Sequence, residues 1–173
     1  MAVIQTTDLS QIVYRASSLK YHSKALSPAG ARKTAGRFNR EGVSVLYLAC
    51  DAQTALAEYW GTGPHNPVVL LSVRLGVKNL VDLTKAHKRW PGDWKNWESD
   101  WESALSLPVP DCPSWRCGDD AIRRKAGGIY FPSQKRPGGF NVAFFPEDAV
   151  IGTWSLTLID PFGEIATANP VTV

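Results

Sequence analysis

The chain contains 173 residues, 44% of them hydrophobic, and its 19 Lys and Arg against 16 Asp and Glu leave a net charge of +3. This length and composition are typical of one globular domain with a full hydrophobic core, which excludes an intrinsically disordered protein. The small positive excess also excludes the dense cationic surface of a dedicated nucleic-acid binder, although a local phosphate site is compatible with it.

The N-terminal sequence lacks the pattern of a signal peptide, and no segment reaches the roughly 18 apolar residues of a membrane span. Cys50, Cys112 and Cys117 form no CxxC pair, which is typical of reduced thiols rather than a disulfide framework. We therefore expect a cytoplasmic protein without a membrane partner.

Apolar and β-branched runs predict strands near both ends of the chain, with helices in the connections. The predicted strands cover residues 12–15, 43–48, 68–75, 79–83, 128–131, 140–145 and 153–159. Residues 16–44 are polar and rich in Ser, Lys, Arg and Gly, which indicates a loop or a short broken helix. The pattern predicts a single α+β domain over residues 1–173, with a mixed or antiparallel sheet core and flanking helices.

The first predicted helix follows Asp51, which can cap it, and ends at Gly61. Its apolar face is predicted to hold Ala52, Ala55, Leu56, Tyr59 and Trp60. Another helix is predicted over residues 114–125.

The segment 90–106 is rich in tryptophan and has a helical pattern. Its apolar stripe is predicted to contain Trp94, Trp97, Trp101 and Leu105. Such a stripe can serve core packing, a partner surface or the stacking of a ligand.

Several common catalytic signatures are absent from the sequence. His22, His65 and His87 lie far apart and outside any metal-ligand spacing. There is no GxSxG elbow, no GxxxxGK[ST] phosphate loop and no GxGxxG after a strand. We therefore predict no metal site and no P-loop, Rossmann or serine-hydrolase chemistry.

Two arginines occur where an anion could be bound. Arg37 lies in the glycine-bounded sequence GRFNREG, where a guanidinium can grip a phosphate and the backbone can come close. Arg15 lies in a mostly apolar strand, where a cation is costly unless it is paired or faces a cleft. The alternatives are a polar connecting loop for Arg37 and a structural ion pair for Arg15.

Two further residues have a functional and a structural interpretation. Glu58 points away from the predicted apolar face of its helix, so it is either a solvated residue or a carboxylate that stabilises positive charge on a ribose. Ser133 follows the strand at 128–131, where its hydroxyl could contact a ligand or satisfy local backbone groups.

Taken together, these segments resemble the RES-domain toxins of RES–Xre toxin–antitoxin pairs, a family named for an Arg, a Glu and a Ser. The resemblance covers about residues 12–160. This chain has Phe38 where the family usually has Trp, an aromatic exchange that keeps the apolar contact. The matching segments are Tyr14-Arg15, AGRFNREG at 35–42, VLYLACDAQTALAEY at 45–59, and Phe131-Pro132-Ser133 followed by Asn141.

The resemblance implies an ADP-ribosyltransferase-like fold and an enzyme that cleaves the nicotinamide–ribose bond of NAD+, by hydrolysis or phosphorolysis. NAD+ is then the substrate, and neither a cofactor nor a metal is implied. Glu58 is implied to be the catalytic carboxylate, assisted by Arg15 and Ser133, with Ser133 in contact with the substrate. The residues implied to bind NAD+ are Arg37, Tyr47, Asn39 and Tyr14.

The chemistry of NAD+ agrees with these roles. Nicotinamide is already a cationic leaving group and needs no general acid, so the barrier lies in an oxocarbenium-like ribose, as in glycoside cleavage. One carboxylate on a ribose hydroxyl can stabilise that cation, while two arginines hold the diphosphate.

An enzyme that depletes NAD+ must be restrained in its own cell, so an antitoxin or immunity protein is an expected partner, with Trp94 or Trp97 as candidate docking residues. It would act in the cytoplasm of the producing cell or, as a delivered effector, of a target cell. No direct nucleic-acid binding is expected, and homo-oligomerisation stays open. The alternatives are a mono-ADP-ribosyltransferase that modifies a cellular protein and a non-catalytic protein- or RNA-binding module.

Overall fold

The computed structural model describes residues 4–61, 66–85 and 90–159. The strands within these ranges are β1 (Thr6–Ser18), β2 (Leu46–Ala49), β3 (Val68–Asp82), β4 (Gly128–Pro132), β5 (Phe140–Phe144) and β6 (Trp154–Leu158). The connections hold a 3₁₀ helix (Leu19–Lys24) and the helices α1 (Ala29–Lys33), α2 (Ala52–Trp60), α3 (Gly92–Lys95), α4 (Trp101–Ala104) and α5 (Pro113–Arg123). None of the helices in this part of the chain is long and apolar enough to cross a membrane.

Two long strands organise the sheet. β1 and β3 pair antiparallel from Thr6 opposite Val81 to Ser18 opposite Val68. β1 also pairs with β2, and β5 lies between β2 and β4, antiparallel to both. β4 returns to β3 in the parallel direction, so β1, β2, β5, β4 and β3 close into a ring, and β6 pairs antiparallel with β3. The predicted α+β class with a mixed sheet is therefore confirmed.

β3 is one continuous strand, whereas the sequence predicts two strands at 68–75 and 79–83. Its burial alternates as a strand requires, with Leu71, Val73 and Leu75 inside the core. Asn79 adopts a left-handed conformation with φ 59°, and its backbone N–H donates to the Asp8 carboxylate at 2.9 Å. The pairing of β1 with β3 shifts register opposite this residue, between Thr7 and Leu9. The two strands stay paired on both sides of the shift, so β3 continues through it.

The other predicted elements agree more closely with the structure. The helices predicted after Asp51 and over residues 114–125 correspond to α2 and α5. The strands predicted at 128–131, 140–145 and 153–159 correspond to β4, β5 and β6 within one residue at each end. The strand predicted at 43–48 begins three residues later, at Leu46.

The Trp-rich segment differs from its prediction. It forms two short helices instead of one, because a turn follows α3 and Asp100 starts α4 by accepting from the backbone of Glu102 and Ser103. Trp94 and Trp97 are 2% and 4% exposed, and both pack in a core cluster with Phe38 and Phe131. The expectation that either one docks an inhibitor is therefore wrong.

The predicted single stripe is also wrong at its far end. Trp101 is only partly buried and packs against Ala104, Cys112 and Trp115, a small cluster separate from the main core. Leu105 is 51% exposed. The break between α3 and α4 rotates these two residues away from Trp94 and Trp97.

Candidate active site

A cleft of about 390 Å³ opens at one edge of the strand ring. Its lining includes five of the seven predicted site residues, contributed by β1, β2, α2 and the loop before β2. These five are Tyr14, Arg15, Arg37, Tyr47 and Glu58. The others that line it are Ala16, Gly36, Leu48, Ala49, Ala55, Tyr59, Trp101, Glu102, Phe131, Gln134, Lys135 and Asn141.

Glu58 reaches the cleft because of the way α2 is turned. Asp51 caps the helix as predicted, accepting from the Thr54 backbone N–H at 2.9 Å. Thr54 and Ala55 are the buried residues of the helix, and Glu58 follows them by four and three positions, so it shares their face. The predicted apolar face is wrong in this respect, because Tyr59 is 36% exposed and Glu58 does not point away from the protein.

The carboxylate of Glu58 is held by one of its two oxygens. Ser133 Oγ and Asn141 Nδ2 both donate to Oε1, each at 2.7 Å. Among the residues that the structure describes, no hydrogen bond or ion pair reaches the other oxygen, Oε2. This asymmetry fixes the orientation of the group and leaves one anionic oxygen for a ligand.

Ser133 orients Glu58 from a buried position. Its hydroxyl oxygen accepts from the backbone N–H groups of Lys135 at 3.2 Å and Arg136 at 3.0 Å, so its own proton is directed to Glu58. The residue is 9% exposed and does not line the cleft. Its contact is with the carboxylate, whereas the family resemblance implies a contact with the substrate.

Arg37 is held in the cleft by neutral groups. Its guanidinium donates to the Trp97 carbonyl oxygen at 3.3 Å and to Gln134 Oε1, and it lies 5.9 Å from the centre of the Trp97 ring. Burial lowers the pKa of Arg37, while the charge of Glu58 opposes that change. Arg37 therefore lies in a connecting loop, and its guanidinium also faces the cleft, so both interpretations of this residue apply.

Arg15 also has no acidic partner in the part of the chain that the structure describes. Its Nη1 donates to the Tyr47 carbonyl oxygen at 2.9 Å, and burial lowers its pKa to about 10, so it stays charged at neutral pH. None of the ion pairs within the described residues involves Arg15 or Arg37. The structure therefore brings two partly buried guanidinium groups, neither of them in an ion pair with a described residue, to one cleft, which is an arrangement that attracts an anion.

Asn39 supports the Arg37 loop and lies outside the cleft lining. Its side-chain N–H groups donate to the carbonyl oxygens of Ala31 at 2.9 Å and Arg40 at 3.1 Å, and its Oδ1 accepts from the Tyr47 hydroxyl at 2.9 Å. The same hydroxyl accepts from the Phe38 backbone N–H, and burial raises the pKa of Tyr47. The side chain of Asn39 thus contacts other groups of the protein, whereas the family resemblance implies that it binds NAD+.

Asn141 lines the cleft and contacts Glu58, although neither the sequence nor the resemblance assigns it a role there. The resemblance already places it after the Ser motif, and this was the available signal. Tyr59, Trp101, Glu102, Gln134 and Lys135 also line the cleft, but no spacing in the sequence connects them.

Within residues 4–61, 66–85 and 90–159, no group of three or more His, Cys, Asp or Glu is placed to hold a metal ion. His65 and His87 lie outside these ranges. Cys50, Cys112 and Cys117 are free thiols, and burial raises the pKa of Cys50 to about 11.

Comparisons with known proteins identify the fold and the family of this chain. A search of curated proteins gives no match. A chain of the M. tuberculosis MbcT–MbcA toxin–antitoxin complex is similar in fold, with a TM-score of 0.59 and 21% sequence identity over 90% of this chain and 84% of that one. The family described as RES domain matches residues 12–158, which include Arg15, Glu58 and Ser133. The chain therefore belongs to the RES domain family.

Proposed function

We propose that this protein cleaves the nicotinamide–ribose bond of NAD+ and acts as the toxin of a toxin–antitoxin pair. The observation that carries the proposal is the way the carboxylate of Glu58 is held in the cleft. Oε1 is fixed by Ser133 and Asn141, and Oε2 has no partner within the described residues. It lines the same cleft as Arg15 and Arg37.

The charges of the cleft suit a dinucleotide diphosphate. Two guanidinium groups that form no ion pair with any described residue can each bind phosphate oxygens, and the cavity of about 390 Å³ lies within the range of about 300–1,000 Å³ that is usual for ligand sites. Tyr47 lines the same cleft as the two arginines, and we propose that it contacts the nicotinamide end of the substrate. NAD+ is proposed as a substrate, with no separate cofactor.

The proposed reaction breaks the bond between ribose C1′ and the pyridinium nitrogen. The bonding electrons pass to that nitrogen, so nicotinamide leaves as a neutral molecule. Water or phosphate then bonds to C1′, and the proton of a water nucleophile passes to solvent. Glu58 Oε2 accepts a hydrogen bond from a ribose hydroxyl and stabilises the positive charge that develops on the ring.

A protein acceptor is the second candidate in place of water or phosphate. The side chain of Glu58 is exposed at the cleft, which leaves access for an acceptor larger than water. In that case the protein is a mono-ADP-ribosyltransferase, and labelled NAD+ leaves its label on a macromolecule. The non-catalytic binding module loses its main support, because Trp94 and Trp97 are buried.

The partner we propose is a cognate antitoxin. The fold neighbour was solved as a toxin–antitoxin complex, which supports a similar arrangement for this chain. We place the activity in the cytoplasm, where NAD+ is available and where an inhibitor is needed. A test is co-expression of the neighbouring gene product, which should restore growth and cellular NAD+.

The direct test is the release of nicotinamide from NAD+ by purified protein. Glu58→Gln keeps the hydrogen-bonding shape but removes the charge, and it should lower the rate at least about 100-fold. Glu147→Gln is the matched control, because Glu147 is an exposed surface residue paired with Arg32. Reactions with and without phosphate identify the acceptor from the products. Equal rates for the wild type and Glu58→Gln would refute the proposal.

A further inference from the structure

The side chain of Arg136 connects the loop after β4 to the first turn of α2. Its Nη1 lies 3.1 Å from Thr54 Oγ1 and 3.3 Å from Asp51 Oδ2, and its Nη2 donates to Gln53 Oε1 at 2.7 Å. Arg136 does not line the cleft, so these contacts are separate from the proposed substrate site.

The backbone of Arg136 belongs to the group that holds Glu58. Its N–H donates to Ser133 Oγ at 3.0 Å, and Ser133 Oγ donates to Glu58 Oε1 at 2.7 Å. Arg136 therefore contacts the start of α2 through its side chain. Through its backbone it contacts Ser133, which in turn contacts α2 one turn later, at Glu58.

The loop is closed tightly against the same helix. The Ser133 N–H donates to the Gly139 carbonyl oxygen at 2.9 Å, and the Gly139 N–H donates to the Arg136 carbonyl oxygen at 3.0 Å. A Cβ atom on residue 139 would stand 2.3 Å from Thr54 Oγ1, so only glycine allows this approach. The loop touches α2 at Thr54 and at Glu58, four residues apart on one face.

We propose that Arg136 is a positioning residue for the carboxylate of Glu58, an inference that rests on the proposed function. Without its guanidinium, the loop loses three contacts with the first turn of α2. Ser133 then no longer directs its proton to Oε1, and Asn141 alone holds the carboxylate, which can rotate about that one contact. Oε2 loses the orientation that it needs toward the ribose. Arg15 keeps its contact with the Tyr47 carbonyl oxygen, and Arg37, which also binds Gln134 of this loop, keeps its contact with the Trp97 carbonyl oxygen.

The kinetic test is a double-mutant cycle. Arg136→Gln should lower kcat for nicotinamide release by about tenfold to 100-fold, the range expected for a misplaced catalytic group, with KM for NAD+ within about twofold. In a Glu58→Gln background the same substitution should cause no further loss, because its effect passes through the carboxylate. Arg136→Lys should recover only part of the rate, since one ammonium cannot span the three contacts.

A second readout does not depend on turnover. In a crystal structure of Arg136→Gln, Ser133 Oγ and Glu58 Oε1 should lie beyond hydrogen-bonding distance. If wild-type protein released no nicotinamide, the proposed function would fail, and this structure would still decide the positioning role. An intact Ser133–Glu58 hydrogen bond in the variant, or equal losses of rate in both backgrounds, would overturn it.

Discussion

Gly118 lies so close to Phe38 that a Cβ atom on residue 118 would stand 1.9 Å from the Phe38 carbonyl oxygen. The contact brings α5 directly against the loop that carries Arg37. Trp115 strengthens it by donating to the Gly36 carbonyl oxygen at 2.7 Å, and Arg40 bridges Asp111 and Asp119 at 2.6 and 3.0 Å. α5 is therefore the support on which one wall of the cleft is built.

Gly118→Ala should displace this loop. The added methyl group meets backbone rather than a flexible side chain, so we expect a loss of about 1–3 kcal/mol in the free energy of unfolding. KM for NAD+ should rise because Arg37 moves with the loop. Chemical denaturation and steady-state kinetics measure the two effects. Gly30→Ala is the control, since a Cβ there has no neighbour within 4 Å.

Asn141 supplies one of the two hydrogen bonds to Glu58 Oε1, and its substitutions should rank in a fixed order. Asn141→Ala removes a donor and should lower kcat by about tenfold to 100-fold, since a hydrogen bond to a charged group contributes about 1.5–3 kcal/mol. Asn141→Asp places a second carboxylate against the first and should lower kcat further, because like charges repel. Steady-state rates at neutral pH give the order. If Asn141→Asp were as active as the wild type, the hydrogen bond to Glu58 would not matter for catalysis.

Binding of ADP-ribose should depend on the charge of Arg15. Burial lowers the pKa of this guanidinium from 12.5 to about 10, so it is protonated at neutral pH and loses its proton as the pH rises through that value. Affinity should therefore be constant from pH 7 to 9 and fall above about pH 10. Calorimetric titration across this range measures the change.

The comparison variant for this pH effect is Arg15→Gln. It should bind ADP-ribose about tenfold to 100-fold more weakly at neutral pH, in proportion to the loss of a charged hydrogen bond. Its affinity for ADP-ribose should fall less above pH 10 than that of the wild type, because residue 15 no longer carries a proton to lose. Equal affinities of the two proteins for ADP-ribose at neutral pH would show that Arg15 does not bind the phosphates.

The sequence predicts which residues meet at the site better than how they are oriented. Arg15, Arg37 and Glu58 line one cleft, as the resemblance of their segments to the family implies. Helical spacing places Glu58 on the wrong side of α2, because the prediction assumes that the buried face of a helix is apolar. The buried face instead presents Thr54 to the guanidinium of Arg136, a contact across 82 residues.

Strand pairing and helix capping explain two errors in the predicted fold. The polar stretch around Asn79 has the character of a turn, but the ladder with β1 continues past it and makes β3 a single strand. In the Trp-rich segment, helical spacing is present but Asp100 begins a new helix. Both outcomes depend on partners or caps that local periodicity does not weigh.

The order of the elements along the chain has a consequence for protein synthesis. The donors that orient Glu58 come 75 and 83 residues after it, and β5, which carries Asn141, is also the strand that joins β2 to β4 in the ring. At about 5–20 residues per second, a ribosome needs roughly 4–16 s to add that stretch. We therefore expect a nascent chain that has exposed Glu58 but not yet Ser133 and Asn141 to lack the proposed activity, which would arise only once most of the domain has been translated.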